Sequence, residues 1–105
     1  MNLIARLWRG LTPADKADEY REYLNRTGVA ACRRTAGNRG VEVFRRIEAG
    51  RAEFLFVSYW ESLEAIRRFA GPEPERAVYY PEDRAFLLEL EPNVTHYEVV
   101  VDERP

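Results

Sequence analysis

Residues 52–71, AEFLFVSYWESLEAIRRFAG, decide the fold. The first half alternates with period two. Phe54, Phe56 and Trp60 fall on one face and Leu55, Val57 and Tyr59 on the other, so the strand 52–60 is apolar on both sides. The chain then turns through Glu61 into an amphipathic helix expected over 62–69. Leu63, Ile66 and Ala70 form its stripe beside Phe69, and Gly71-Pro72-Glu73-Pro74 ends it. A chain of 105 residues has little material for covering both faces of its own sheet. Its helices can roof one face, and the other calls for a second subunit.

Working outward, residues 2–9 alternate as a strand, with Ile4, Arg6 and Trp8 opposite Leu3, Ala5 and Leu7, and Gly10 is expected to end it. Thr12-Pro13-Ala14-Asp15 reads as a helix start with Thr12 as N-cap. Ala17, Tyr20, Tyr23 and Leu24 supply the apolar face of that helix. It is expected to falter at Thr27-Gly28 and to resume for a turn or two before Arg34. Residues 41–47 form a strand, joined to 52–60 by the tight connection Glu48-Ala49-Gly50-Arg51, a β-hairpin. Pro81-Glu82-Asp83 opens another short helix carrying Ala85, Leu87 and Leu88, and 94–101 is the last strand. The order β-α-β-β-α-(α)-β describes an α+β chain with a ferredoxin-like split βαβ fold and an antiparallel sheet. One domain spanning 1–105 is expected.

Composition narrows the function classes. The formal net charge of -2 argues against nucleic acid as a partner. No window approaches a membrane span and the N-terminus lacks a signal-peptide pattern, so a cytoplasmic protein is expected. A single cysteine, Cys32, excludes an intramolecular disulfide and a thiolate metal cluster. Arg33 and Arg34 beside it would lower its pKa, although a spectator thiol is the leading reading. Glu73, Glu75, Glu82 and Asp83 read as solvated loop and helix-start carboxylates rather than metal ligands.

IARLWRG at residues 4–10, SYWESLEAIRRFAG at 58–71 and THYEV at 95–99 resemble the antibiotic biosynthesis monooxygenase family of dimeric α/β barrels. The most specific piece is Trp60, Ser62, Glu64-Ala65 and Phe69. The resemblance implies a homodimer through sheet-on-sheet packing, with a pocket between each sheet and its helices. It also implies oxygenation of a small aromatic or quinol-like molecule without a cofactor or metal. The alternative is a non-catalytic small-molecule-binding or stress-associated member. Haem-degrading members use an Asn on the first strand, a Trp near the end of the second helix and a His beyond it. Those positions align here with Leu7, Phe69 and Tyr79 or Tyr80, which speaks against haem degradation.

The candidate site residues follow. His96, the one histidine, titrates near neutrality and is the candidate general base, against a bland role at an interface or sheet edge. Tyr80 would donate to a substrate oxygen, with Pro81 holding it extended, and Tyr79 would help to position that oxygen. Trp8, Trp60 and Phe69 would wall a flat ligand, although such aromatics more often serve as core or interface anchors. Arg6, charged among apolar neighbours, must pair with Glu98 or Glu42 or bind an anionic group. An interface salt bridge is the leading reading.

Overall fold

The computed structural model describes residues 2–105. Four strands, β1 (Ile4–Pro13), β2 (Asn38–Glu48), β3 (Arg51–Trp60) and β4 (Thr95–Glu98), form one antiparallel sheet in the order β2-β3-β1-β4. Between β1 and β2 run α1 (Ala17–Leu24) and α2 (Ala30–Arg34). Between β3 and β4 come α3 (Leu63–Ala70) and the single turn α4 (Asp83–Phe86). This is the ferredoxin-like order, an α+β fold with the helices on one face.

Gly10 does not end β1. It pairs with Phe54, and the strand continues to Pro13. The reason is steric: a Cβ on Gly10 would lie 2.1 Å from the Trp8 indole, so this glycine makes room for a ring lying along its own strand. Nor does Thr12 cap the helix. Its hydroxyl donates to the Pro13 carbonyl at 3.0 Å, and a 3-10 turn, Ala14–Lys16, carries the chain into α1.

The expected break at Thr27-Gly28 is a π turn, Asn25–Val29, that joins α1 to α2 without interrupting the helical path. The hairpin between β2 and β3 turns on Ala49 and Gly50, both with positive φ (52° and 77°), as a two-residue turn that matches the strand twist requires. In α3, the Ser62 hydroxyl accepts the Ala65 N–H at 3.1 Å as N-cap, and Gly71, at φ 92°, closes the C-terminus onto the Arg67 carbonyl at 2.8 Å. β4 is shorter than expected, and Val100 and Val101 beyond it are exposed.

The core lies between the sheet and α1, α2 and α3. Phe54, Phe56, Trp60, Tyr20, Cys32 and Ile66 are buried in it. The other sheet face carries Leu7, Leu55, Val57 and Tyr59, with Phe44 and Tyr97 half exposed at 50% and 55%. Among the described residues, no helix is long and apolar enough to cross a membrane.

Candidate functional site

A cleft of about 40 Å³ opens between the sheet and its helices. Arg6, Trp8 and Phe56 form its floor, Tyr20, Leu24 and Gly28 one wall, and Phe69, Tyr79, Tyr80 and Asp83 the rest. The π turn contributes directly: a Cβ on Gly28 would meet the Phe56 ring at 3.2 Å, so glycine keeps this end of the cleft open.

Arg6 dominates the floor. β1 alternation turns it toward the helices, where it is only 5% exposed. Its Nη2 donates to the Arg76 carbonyl at 2.6 Å and to the Pro74 carbonyl at 3.4 Å. Its Nε is buried without a hydrogen-bond partner among the described residues. The guanidinium lies 5.4 Å from the centre of the Phe69 ring. Burial lowers its pKa from the ordinary arginine value.

This corrects the reading of Arg6 as an interface salt bridge. Glu98 instead accepts from Asn2 at 3.0 Å, and Glu42 accepts from the Tyr59 hydroxyl at 2.7 Å. Arg6 is the residue that faces the cleft, while Leu7, one residue on, is turned to the opposite face.

Asp83 is the feature of the cleft that sequence reasoning missed. It is not a solvated helix-start carboxylate but is 3% exposed. One oxygen accepts the Tyr20 hydroxyl at 2.8 Å and the other the Tyr80 N–H at 2.7 Å. Burial raises its pKa above the ordinary carboxylate value, with those two hydrogen bonds pulling the other way. Its location in an aperiodic segment removed the one signal, spacing, that reports burial from sequence.

The candidate residues divide. Phe69, Tyr79 and Tyr80 line the cleft. Tyr79 is already engaged, accepting from the Trp8 indole N–H at 3.0 Å and donating to the Glu91 carbonyl at 2.5 Å. The Tyr80 hydroxyl makes no such bond among the described residues, and burial raises its pKa, which keeps it a neutral donor. Trp60 is fully buried behind Phe69, with ring centres 5.6 Å apart, and its N–H is spent on the Ser58 hydroxyl at 2.8 Å.

His96 is not among the cleft-lining residues. It sits on the edge strand β4 as the cross-strand partner of Arg6, with Nε2 buried and unpartnered among the described residues. Burial first, then the Arg6 charge, lowers its pKa, against the opposing pull of Glu75. Cys32 is fully buried and its thiol is pushed up to about 12 by that burial, so the neighbouring arginines do not activate it. No group of three or more His, Cys, Asp or Glu able to hold a metal ion occurs among the described residues.

A family model described as antibiotic biosynthesis monooxygenase matches residues 6–77. Among solved structures, the haem-free form of a heme-degrading protein from Mycobacterium tuberculosis superposes with a TM-score of 0.66 at 18% identity, covering 97% of this chain and 99% of that one. The same protein with two hemes bound in its active site gives 0.63 at 20% identity, covering 96% and 99%. A candidate antibiotic biosynthesis monooxygenase from Bacillus cereus gives 0.66 at 18% identity, covering 100% of both chains. At these identities the likeness is one of fold. No curated protein matches the sequence.

Proposed function

The chain belongs to the antibiotic biosynthesis monooxygenase family, and from that premise we propose that it oxygenates a small aromatic or quinol-like molecule in the cleft above Arg6, the substrate itself supplying the electrons. One observation carries this reading. A buried cation without an acidic partner lies beneath an aromatic-walled cleft that also holds an unengaged phenol, Tyr80, and a carboxylate of raised pKa, Asp83.

The chemistry needs three things. A phenolic or enolic substrate must lose a proton, its anion must be stabilised, and water must be kept away while the electron-rich carbon reacts with dioxygen. Asp83 is the proton acceptor that lines the cleft, in the place the sequence reading gave to His96. Arg6 stabilises the anion electrostatically and Tyr80 donates to the oxygen that loses its proton. The carbon–oxygen bond forms on dioxygen, the O–O bond breaks, and a ring CH₂ becomes a carbonyl with one water released. The balance requires no outside reductant.

Haem does not fit this cleft. Among the described residues its lining offers no His, Met or Cys as an axial ligand, and the raised pKa of Tyr80 opposes a tyrosinate. Binding without turnover is the second reading. It is favoured by Asp83, both of whose oxygens already accept hydrogen bonds, from the Tyr20 hydroxyl and the Tyr80 N–H. Under either reading side chains must move to widen the cleft for an aromatic ligand.

Oxygen uptake with a panel of small aromatic diols and anthrone-type ketones separates the two. The oxygenase reading expects uptake at least about tenfold above autoxidation, about 1.4 kcal/mol of barrier lowering, with one ¹⁸O atom from labelled dioxygen in the product. Background uptake across the panel overturns it. Asp83→Asn should abolish uptake, whereas His96→Ala should retain it, and the reverse pattern restores the histidine as base.

A homodimer belongs to the same proposal. A second copy laid on the open face would bury Leu7, Leu55, Val57, Phe44 and Tyr97, at roughly 1.5–3 kcal/mol for each fully covered large apolar side chain.

A further inference from the structure

The Arg6 guanidinium is almost wholly removed from water, and no carboxylate forms an ion pair with it among the described residues. Nη2 makes both of its bonds to the protein, and each goes to a neutral carbonyl. Nε has no partner among the described residues. A buried charge without a counter-ion costs several kcal/mol, and so does a buried donor left unmade, though less. A folded chain retains such an arrangement where something else completes it. The floor of a cleft is where a ligand can do so.

Building on the cleft reading above, we propose that the molecule bound there is an anion before any proton is removed from it: a hydroxylated aromatic carboxylate, its carboxylate on Arg6. Three features select this class. The unengaged nitrogens of Arg6 present N–H donors, and a carboxylate oxygen makes the strongest hydrogen bond available to them. Phe69 lies 5.4 Å from the same guanidinium, so a planar ring joined to the carboxylate finds an aromatic surface beside the charge. Asp83 makes no ion pair with Arg6, and both of its oxygens already accept hydrogen bonds from Tyr20 and Tyr80. Its negative end of the cleft repels a carboxylate and welcomes a hydroxyl. The two charges therefore orient the ligand, carboxylate on Arg6 and hydroxyl toward Asp83 and Tyr80. A neutral phenol would offer Nε only a weaker, uncharged acceptor, and a dicarboxylate would set one charge against Asp83.

Isothermal titration under anaerobic conditions tests this with a matched pair, 1-hydroxy-2-naphthoate and 1-naphthol, which differ by the carboxylate alone. The wild-type protein should bind the carboxylate at least about tenfold more tightly, equivalent to about 1.4 kcal/mol. Arg6→Gln should reduce that ratio to near unity, and Arg6→Lys, which keeps the charge, should retain part of it. Equal binding of the two probes, tighter binding of 1-naphthol, or binding of neither by the wild type overturns the proposal without reference to any variant. A clear preference without oxygen uptake by any substrate leaves the anion site standing and removes the oxygenase reading. Uptake without the preference does the opposite.

Discussion

Arg6 and His96 face each other across the β1–β4 ladder on the helix side of the sheet, and each carries a buried nitrogen with no hydrogen-bond partner among the described residues. The pairing makes His96 a sensor of its neighbour. Burial and the Arg6 charge both disfavour the imidazolium, with Glu75 as the opposing influence. The folded-state pKa therefore lies below the ordinary histidine value. Between the two values the unfolded chain binds the extra proton and the folded chain does not, so stability falls as pH drops through that window. Melting temperature should decline from pH 7 toward pH 5, and less steeply in His96→Gln. Parallel curves for the two proteins would show that His96 is not held neutral.

Replacing Arg6 by Met removes an uncompensated charge at similar volume. The gain, several kcal/mol in principle, is offset by the lost bonds to the Arg76 and Pro74 carbonyls, about 1–3 kcal/mol for each acceptor left unpaired. Thermal unfolding of Arg6→Met should match or exceed wild type while binding of 1-hydroxy-2-naphthoate disappears. A fall of more than about 5 °C, roughly 1 kcal/mol for a domain of this size, would show the guanidinium to be a structural strut.

Gly28→Ala opposes two effects. A helical alanine gains up to about 1 kcal/mol over glycine, but the new Cβ would stand 3.2 Å from the Phe56 ring. Stability should stay near wild type, because the crowded atoms border a cleft into which the ring can shift. Affinity for the naphthoate probe should drop by about tenfold, from strain of about 1.4 kcal/mol. Unchanged affinity would place the ligand away from the π turn.

Ala49 occupies the left-handed region at φ 52°, where a Cβ costs about 1–2 kcal/mol. Ala49→Asn creates the Asn-Gly pair this hairpin turn favours and should stabilise the protein by about 0.5–1 kcal/mol, read as a higher urea midpoint at constant slope.

Leu55→Arg on β3 places a charge at the centre of the open sheet face. Sedimentation at micromolar concentration should show a dimer for wild type and a monomer for this variant, both folded by circular dichroism. A monomeric wild type would remove the homodimer proposal.

Much of the architecture was legible. The double-faced apolar alternation of 52–60, the hairpin and the Ser62 helix start each give a local signal, and the ferredoxin-like order follows from their sequence. Gly10 misled because glycine's usual role as a breaker competed with a packing role set by Trp8, which only the folded strand reveals. The site was less legible. Phe69, Tyr79 and Tyr80, named from the sequence, line the cleft, whereas Arg6 alternates onto one of two apolar faces, and nothing in the pattern says which face carries the cleft. Asp83 and Tyr80 lie beyond residue 77, where the family match ends, in a stretch with little period to read, and the bond from Tyr20 on α1 to Asp83 becomes visible only in the folded chain.

The structure of the protein bound to 1-hydroxy-2-naphthoate tests the central claim most directly. The account expects the ligand in the cleft between the sheet and α1–α3, its ring against Phe69 and a carboxylate oxygen within about 3.2 Å of Arg6 Nε. A ligand held elsewhere, with Arg6 Nε still unpartnered, would contradict it.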